Sequence, residues 1–245
     1  MVWITGDTHG DWSRLTDRKD LAESDTVIVC GDFGLWHDDR RERTRLDRLA
    51  AMPFTTVWVD GNHENFDRLK SGEFETVDFH GAAAHRIREN IFHIKRGEIM
   101  TLEGKTFWCF GGARSHDISD GVLDPRQYDR EEFRELVEAM TYNRAMFRIL
   151  GQSWWPEEMP SKGEMAHGRE TLAKVGYKVD FAVTHCAPYT DAVALGFRGP
   201  DDLTLYFDFV ASFSEIGRWY FGHYHTDELL YDRYRPIYMK MERIV

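Results

Sequence analysis

Short, almost uninterrupted apolar runs recur along this chain, and each of them ends at polar residues. The runs are four or five residues long and rich in β-branched or aromatic side chains, which predicts strands buried on both faces. They are VWIT (2–5), TVIVC (26–30), TTVWV (55–59), FAVT (181–184) and RWYF (218–221). Because segments with helical spacing separate these runs, the pattern predicts an α/β fold.

Four segments predict helices from apolar positions repeated every three to four residues. In one of them Asp129 and Glu132 form a capping-box pattern and Gly151 is the predicted stop. Ser161 and Glu164 form the same capping-box pattern in another. The predicted helices cover residues 38–52, 129–151, 161–176 and 202–217.

Two further segments predict paired strands. Residues 98–112 read as two strands around a turn at Gly104, and residues 227–245 read as another extended pair. The 245 residues contain no internal repeat, low-complexity tract or Pro/Gly-rich linker, so we expect a single domain.

Composition and charge limit the partners that the protein can bind and the compartment in which it is expected. With 42% hydrophobic residues the chain is too apolar for disorder, and its net charge of −11 argues against a duplex nucleic-acid partner. No run approaches the roughly 18 apolar residues that span a bilayer. The N-terminal MVWITGD has no room for the apolar stretch of a signal peptide. We therefore expect a cytoplasmic protein with no membrane partner, in which Cys30, Cys109 and Cys186 are buried, reduced thiols.

Polar side chains with metal-binding chemistry follow all five apolar runs. They are Asp7 and His9, Asp32, Asn62 and His63, His185, and His223 and His225. Because the carboxyl ends of strands line one crevice in open α/β sheets, these groups are expected to meet. Nitrogen and oxygen donors without thiolate suit Mn²⁺, Fe or Zn²⁺ better than Ca²⁺. Two carboxylates, one amide oxygen and four imidazoles make seven ligands, which fit two metals that lie about 3.5–4 Å apart and share a carboxylate, a device for in-line displacement at phosphorus.

Five motifs, in the order GDTHG, GDFG, GNHE, THCAP and GHYH, resemble the calcineurin-like metallophosphoesterase superfamily. The resemblance spans residues 7–225, and the GGA (111–113) and SWWPEE (153–158) segments are also similar to those of compact bacterial and prophage metallophosphoesterases. It implies a layered α/β/β/α sandwich of two mixed sheets flanked by helices. The single domain 1–245 would then carry an insert at about 113–160 as a candidate lid that sets substrate choice.

The same resemblance implies a role for each donor. One metal would be held by Asp7, His9 and His225, the second by Asn62, His185 and His223, with Asp32 bridging both. His63 would be no ligand but the proton donor to the leaving group, a role that suits the near-neutral pKa of histidine. Glu64 would brace the turn that carries these residues.

The implied reaction is hydrolysis of a small phosphomono- or diester by a metal-bridging hydroxide. Two divalent ions would serve as cofactors, Mn²⁺ being favoured over Fe, Zn or Ni, and the metals and Asn62 would stabilise the developing charge. The phosphate-gripping arginine of protein serine/threonine phosphatases is absent from GDFGLWHD, so Arg114 and Arg148 are candidate substrate-binding substitutes. The rival functions are a nuclease acting on nucleic-acid ends or single strands, and a catalytically idle metal-binding regulatory protein.

Other residues near the motifs leave alternatives open. The remaining histidines are interpreted as ordinary, with His37 and His116 as the exceptions because both follow motif-bearing loops. Trp154 and Trp155 either pack in the core or form a wall of the active-site cleft. The oligomeric state has no signature in the sequence.

Overall fold

The computed structural model of the protein describes residues 1–228 and 231–245. Within these residues the chain forms fourteen strands and seven α-helices. The strands are β1 (Val2–Thr5), β2 (Thr26–Val29), β3 (Thr55–Trp58), β4 (Glu75–Phe79), β5 (Ala82–Arg88), β6 (Ile91–Ile94), β7 (Glu98–Leu102), β8 (Lys105–Phe110), β9 (Val122–Leu123), β10 (Arg148–Ile149), β11 (Lys178–Thr184), β12 (Glu215–Phe221), β13 (Tyr234–Pro236) and β14 (Met241–Arg243). The helices are α1 (Ser13–Thr16), α2 (Arg40–Ala50), α3 (Phe66–Lys70), α4 (Arg130–Tyr142), α5 (Lys162–Lys174), α6 (Tyr189–Ala194) and α7 (Asp202–Phe213).

Two mixed sheets form the centre of the molecule. The larger has the strand order β14-β1-β2-β3-β6-β5-β4, in which β1, β2, β3 and β6 are parallel neighbours. The smaller has the order β13-β12-β11-β8-β7, in which only the β7–β8 pair is antiparallel. Helices flank the sheets, so the predicted fold of two mixed sheets between helices is confirmed.

Side chains alternate along the strands between two kinds of core. Ile28 points inward and belongs to the same buried cluster as Val183 of the other sheet. Its neighbour Val27 points outward and packs in the cluster that contains Leu46 of α2. On the far side, Phe207 of α7 packs against the smaller sheet. Each such apolar side chain contributes roughly 1.5–3 kcal/mol when fully buried, which explains why the strand sequences are apolar at almost every position.

The predicted strand pairs have different outcomes. Residues 98–112 form the antiparallel hairpin β7–β8, and Glu103 and Gly104 both have positive φ at the turn. The last segment does contain two strands, but they do not pair with each other as predicted. Instead β13 extends the smaller sheet beside β12, and β14 extends the larger one beside β1. Leu229 and Leu230, which belong to the same predicted pair, lie outside the described residues.

Two predicted helices are shorter than expected. The apolar spacing in 129–151 continues beyond the end of α4 at Tyr142, but Arg144 takes a left-handed φ of 55° and the chain turns to form β10. Likewise α7 ends at Phe213 because Ser214 is extended and Glu215 begins β12. The continuation predicted for both helices was therefore wrong, since strand pairing replaces helical hydrogen bonds there.

Local predictions at helix starts and in the core are confirmed. The Asp129–Glu132 and Ser161–Glu164 capping boxes are present. Trp155 packs in the core at 3% exposure, and its indole N–H donates to Asp67 Oδ2 at 2.8 Å. All three cysteines are buried free thiols. Among the described residues, no helix combines the length and apolarity needed to cross a membrane.

Candidate metal centre

The carboxyl ends of parallel strands from both sheets bring polar side chains together at one rim of the sandwich. The residues following each strand are Asp7 and His9 (β1), Asp32 (β2), Asn62 and His63 (β3), His185 (β11), and His223 and His225 (β12). Contacts described below connect all of the predicted metal donors into one group. The expected meeting of strand ends is therefore what the topology produces.

One side of this group is formed by Asp7, His9 and His225. The Nε2 atom of His225 lies 3.1 Å from Asp7 Oδ2 and 3.1 Å from His9 Nε2. One ligand atom from each of the three residues lies within 4.8 Å of the others. Because Asp7 is buried while His225 is exposed, this side opens to solvent.

The other side is centred on His185, whose side chain is fully buried. Its Nε2 atom lies 3.2 Å from Asn62 Oδ1, and the His223 ring stands edge-on to it with 4.9 Å between ring centroids. The Nδ1 atom lies 2.8 Å from the carbonyl oxygen of Cys30. With a proton on Nδ1 donated to that carbonyl, Nε2 is left as the atom available to a metal.

The carboxylate of Asp32 lies between the two sides. Its Oδ2 atom is 3.7 Å from His9 Nδ1, and its Oδ1 atom is 3.4 Å from His185 Nε2. Asp7 also reaches both sides, because it groups with Asp32 and His185 as well as with His9 and His225. Two buried carboxylates thus face the centre of the group, each within reach of imidazoles on both sides.

The backbone at this rim is held in an unfavourable conformation. Four of the donor residues have a positive φ, which is rare outside glycine: His9 (47°), Asp32 (42°), His223 (66°) and His225 (47°). Each such residue costs about 1–3 kcal/mol and persists only where surrounding contacts impose it. One of these contacts is the His223 backbone N–H, which donates to Asp7 Oδ1 at 3.1 Å. At Gly61, a Cβ would overlap the Asp32 side chain, so only glycine allows this close approach.

Electrostatics at the centre favour positive charge. Burial opposes charge on His185, yet the carboxylates of Asp32 and Asp7 outweigh burial and raise its pKa to about 10. Burial likewise opposes ionisation of Asp32, but His185 and the neighbouring imidazoles hold its pKa well below the ordinary value. The two carboxylates therefore stabilise positive charge at the centre, and the nitrogen and oxygen donors around them fit a divalent cation.

His63 lies beside the donors but differs from them in its contacts. Its backbone N–H donates to Asp32 Oδ1 at 2.8 Å, and its ring is 5.6 Å from the His9 ring and edge-on to Trp36. Among the described residues its buried Nδ1 atom has no hydrogen-bond partner. Burial lowers the pKa of His63, with Asp32 acting in the opposite direction. This imidazole is thus held at the rim with hydrogen-bonding capacity left unused.

Glu64 braces the loops under the centre, as predicted. Its buried carboxylate accepts the backbone N–H groups of Phe33, Gly34 and Leu35 at 2.6–3.3 Å. These three residues directly follow Asp32, so the carboxylate ties the second strand end to the third. The indole N–H of Trp36 adds a hydrogen bond to the His63 carbonyl.

A polar relay orients Asn62, and the sequence analysis did not find it. The Asn62 amide Nδ2 donates to Ser115 Oγ at 3.2 Å, and that hydroxyl donates to Glu158 Oε2 at 2.5 Å. The Ser115 backbone N–H also donates to Glu158 Oε1 at 3.0 Å. Because this relay takes the amide nitrogen, the Asn62 oxygen faces His185. Glu158 belongs to the SWWPEE segment, whose link to the metal centre has no local signature.

His116 joins the group, and it is one of the two histidines that the sequence analysis treated as exceptions. Its Nε2 atom lies 2.7 Å from His223 Nε2. His116 follows β8, a further parallel strand of the smaller sheet, so the strand-end rule applied to KTFWCF would have found it. His37, the other exception considered, is exposed and packs against Trp36.

The two candidate arginines occupy different positions. Arg148 is half-buried, forms an ion pair with Asp117 and lies near enough to His63 to act against its protonation. Arg114 is exposed on the loop after β8, two residues before His116. Arg148 therefore lies near His63, and Arg114 lies near His116.

A two-sheet sandwich whose strand ends assemble carboxylate, amide and imidazole donors around one centre, with a free imidazole beside them, defines a metal-dependent hydrolase site. The family model described as calcineurin-like phosphoesterase matches residues 1–227. The chain belongs to this family, and the predicted superfamily is confirmed. Membership indicates a metal-dependent phosphoesterase. Comparison with curated proteins and with solved structures found no match.

Proposed function

We propose that this protein hydrolyses small phosphomono- or diesters at a centre of two divalent cations, with Mn²⁺ favoured. The observation that carries the proposal is the position of Asp32, whose two oxygens face His9 on one side and His185 on the other. A carboxylate in that position suits two cations better than one.

Each donor residue would bind one or both cations. One cation would be held by Asp7, His9 and His225, and the second would be held by Asn62, His185 and His223. Asp32 would bind both cations. Bound there, the cations would lower the pKa of water and neutralise phosphoryl oxygens. The Asn62 side chain, fixed by Ser115, would keep its oxygen toward the centre during the reaction.

His63 is proposed to donate a proton to the leaving oxygen. Its ring lies beside the donors, and in the part of the chain that the structure describes Nδ1 has no hydrogen-bond partner, while the hydrogen bond from the His63 backbone N–H to Asp32 fixes the backbone. Burial lowers its pKa in the protein alone, whereas a phosphate dianion bound nearby would raise it again. Substrate binding would thereby bring the imidazole toward the protonated form that a general acid needs.

Arg148 is the better placed candidate to bind the scissile phosphate, because it lies near His63. Its present partner is Asp117, so phosphate binding would require the guanidinium to leave that carboxylate or to bind both groups.

The net charge of −11 favours a small phosphorylated substrate over duplex nucleic acid. We expect the protein to act in the cytoplasm.

Hydrolysis of p-nitrophenyl phosphate and bis-p-nitrophenyl phosphate by chelator-treated protein, with and without Mn²⁺, tests this proposal. We expect Mn²⁺-dependent hydrolysis of at least one ester and two Mn²⁺ per chain by elemental analysis. Preference for the monoester or the diester would define the phosphatase or phosphodiesterase activity. If the protein binds two metals yet hydrolyses neither ester, the idle regulatory protein becomes the better interpretation.

Metal uptake is expected to release protons and to weaken as the pH falls. Burial opposes protonation of His185, but Asp32 and Asp7 outweigh burial and raise the pKa of His185 to about 10. A hydrogen bond to Asp7 raises the pKa of His225. A raised pKa means that the metal-free protein carries a proton on the histidine, and metal binding must displace that proton. For each proton released, the apparent affinity for the metal therefore falls about tenfold when the pH is lowered by one unit. Calorimetric titration with Mn²⁺ in buffers of different ionisation enthalpy measures the release. Uptake without proton release would contradict this assignment of ligands.

A further inference from the structure

A small cavity of 310 Å³ borders the metal centre on the side of His223. We propose that it binds the leaving group of the substrate through a second anionic group. The preferred substrates would then be phosphate esters of an alcohol or phenol that itself carries a carboxylate or a further phosphate. This inference rests on the proposed function, because it concerns the part of the substrate beyond the scissile phosphorus.

Two residues on the cavity wall contact predicted metal donors. His116, on its wall, has its Nε2 atom 2.7 Å from His223 Nε2. Ser115, also on its wall, accepts the hydrogen bond from the Asn62 amide. A substrate with its phosphoryl group among the donors therefore has this cavity directly beside it for the rest of the molecule.

Two arginines on the wall make the cavity a site for an anion. Across the described residues, neither Arg114 nor Arg198 is paired with a carboxylate. The acidic residue on the wall, Asp201, caps α7 and accepts the N–H groups of Leu203 and Thr204 at 2.9 and 2.8 Å. These hydrogen bonds occupy one oxygen of Asp201, whose charge also acts on His116. Neither guanidinium is paired with Asp201, so both remain available for a carboxylate or phosphate, which arginine recognises in bidentate geometry.

The aromatic side of the wall suits a flat leaving group. Phe197 packs between His116 and Tyr224, with ring centroids 5.2 and 4.7 Å away. The Tyr224 hydroxyl accepts the Ala187 N–H at 3.2 Å, which holds this aromatic wall in place. A volume of 310 Å³ is at the lower end for ligand sites and admits roughly one aromatic ring with its substituent.

Aryl phosphates that differ only in charge test the proposal. The Mn²⁺-loaded protein is assayed with 4-carboxyphenyl phosphate and with its neutral isostere 4-carbamoylphenyl phosphate, and with the 3-substituted pair in parallel. For at least one pair we expect kcat/KM to be about tenfold or more higher for the carboxylate, since charge-assisted bidentate contacts are worth more than 1.4 kcal/mol. Arg198→Ala should bring this ratio close to one. The matched variant Arg126→Ala, which removes an exposed arginine paired with Asp124, should keep it.

Binding distinguishes failure of the subsite from failure of the proposed function. Calorimetric titration compares 4-phosphonobenzoate with its carboxamide on the same protein and on Arg198→Ala. If no ester is hydrolysed but the carboxylate binds tenfold tighter and loses this advantage in Arg198→Ala, the subsite stands and the hydrolytic function falls. If esters are hydrolysed with ratios near one, or if the advantage persists in Arg198→Ala because the metals attract the carboxylate, the subsite is overturned.

Discussion

Replacing Asp32 by asparagine is expected to lower kcat/KM for hydrolysis by about 10³-fold. Loss of one cation removes several kcal/mol of charge stabilisation from the transition state, and each 1.36 kcal/mol changes the rate about tenfold. Asparagine keeps the shape of the side chain, tolerates the φ of 42° and retains an oxygen for the His63 N–H at 2.8 Å. What it removes is the negative charge that lies between His9 and His185. We therefore expect at least one metal ion fewer per chain.

Elemental analysis after gel filtration, together with kcat/KM for p-nitrophenyl phosphate, measures both effects. Asp20→Asn is the matched control, since that carboxylate is exposed and pairs with Arg18 on the surface. A folded Asp32→Asn protein that retains two metals and full activity would show that Asp32 is no bridge. Asp7, which also reaches both sides, would then be the carboxylate to replace next.

Replacing His63 by alanine is expected to lower kcat by about 10²–10⁴-fold, the usual contribution of a general acid. Metal content should stay the same, because the contacts of the donors with one another do not include the His63 ring. The loss should be larger for phenyl phosphate than for p-nitrophenyl phosphate, because nitrophenolate leaves readily without a proton. This dependence on the leaving group distinguishes proton donation from a positioning role.

Steady-state kinetics with the two esters and elemental analysis measure these effects. His167→Ala is the control, since His167 lies on α5 and pairs with Glu98 of β7, away from the donors. Turnover at the wild-type level would refute the assignment of His63. An equal loss for both esters would leave His63 as a residue that positions substrate and exclude it as the proton donor.

The positions of the donors followed from sequence because they depend on local rules. A parallel strand covered on both faces must be apolar throughout, so its end is marked by the first polar residues, as at Asp7 and Asp32. Carboxyl ends of parallel strands share one rim, which brings these residues together without knowledge of the connections. His116 was considered as an exception but was left out of the predicted donors, because β8 was predicted as part of a hairpin, although its other neighbour, β11, is parallel.

The sequence was ambiguous where a segment could form either of two secondary structures or pair with either of two strands. The apolar spacing around Phe147 and Leu150 continues that of α4, yet the chain leaves the helix at Arg144 and pairs β10 with β9. The last two strands looked like partners because they are neighbours in sequence. They separate because the free edges of two different sheets offer hydrogen bonds that a small hairpin could not match.

By itself the sequence determined the class of fold, the donor types and their places after buried strands, since these follow from apolar periodicity and the chemistry of side chains. Only the tertiary structure decided which atoms meet: the two Asp32 oxygens facing opposite sides, the Ser115–Glu158 relay behind Asn62, and His116 against His223. It also decided that Arg114 and Arg198 share a cavity. These contacts join residues far apart in the chain, and packing of the two sheets, which local patterns do not encode, sets their distances.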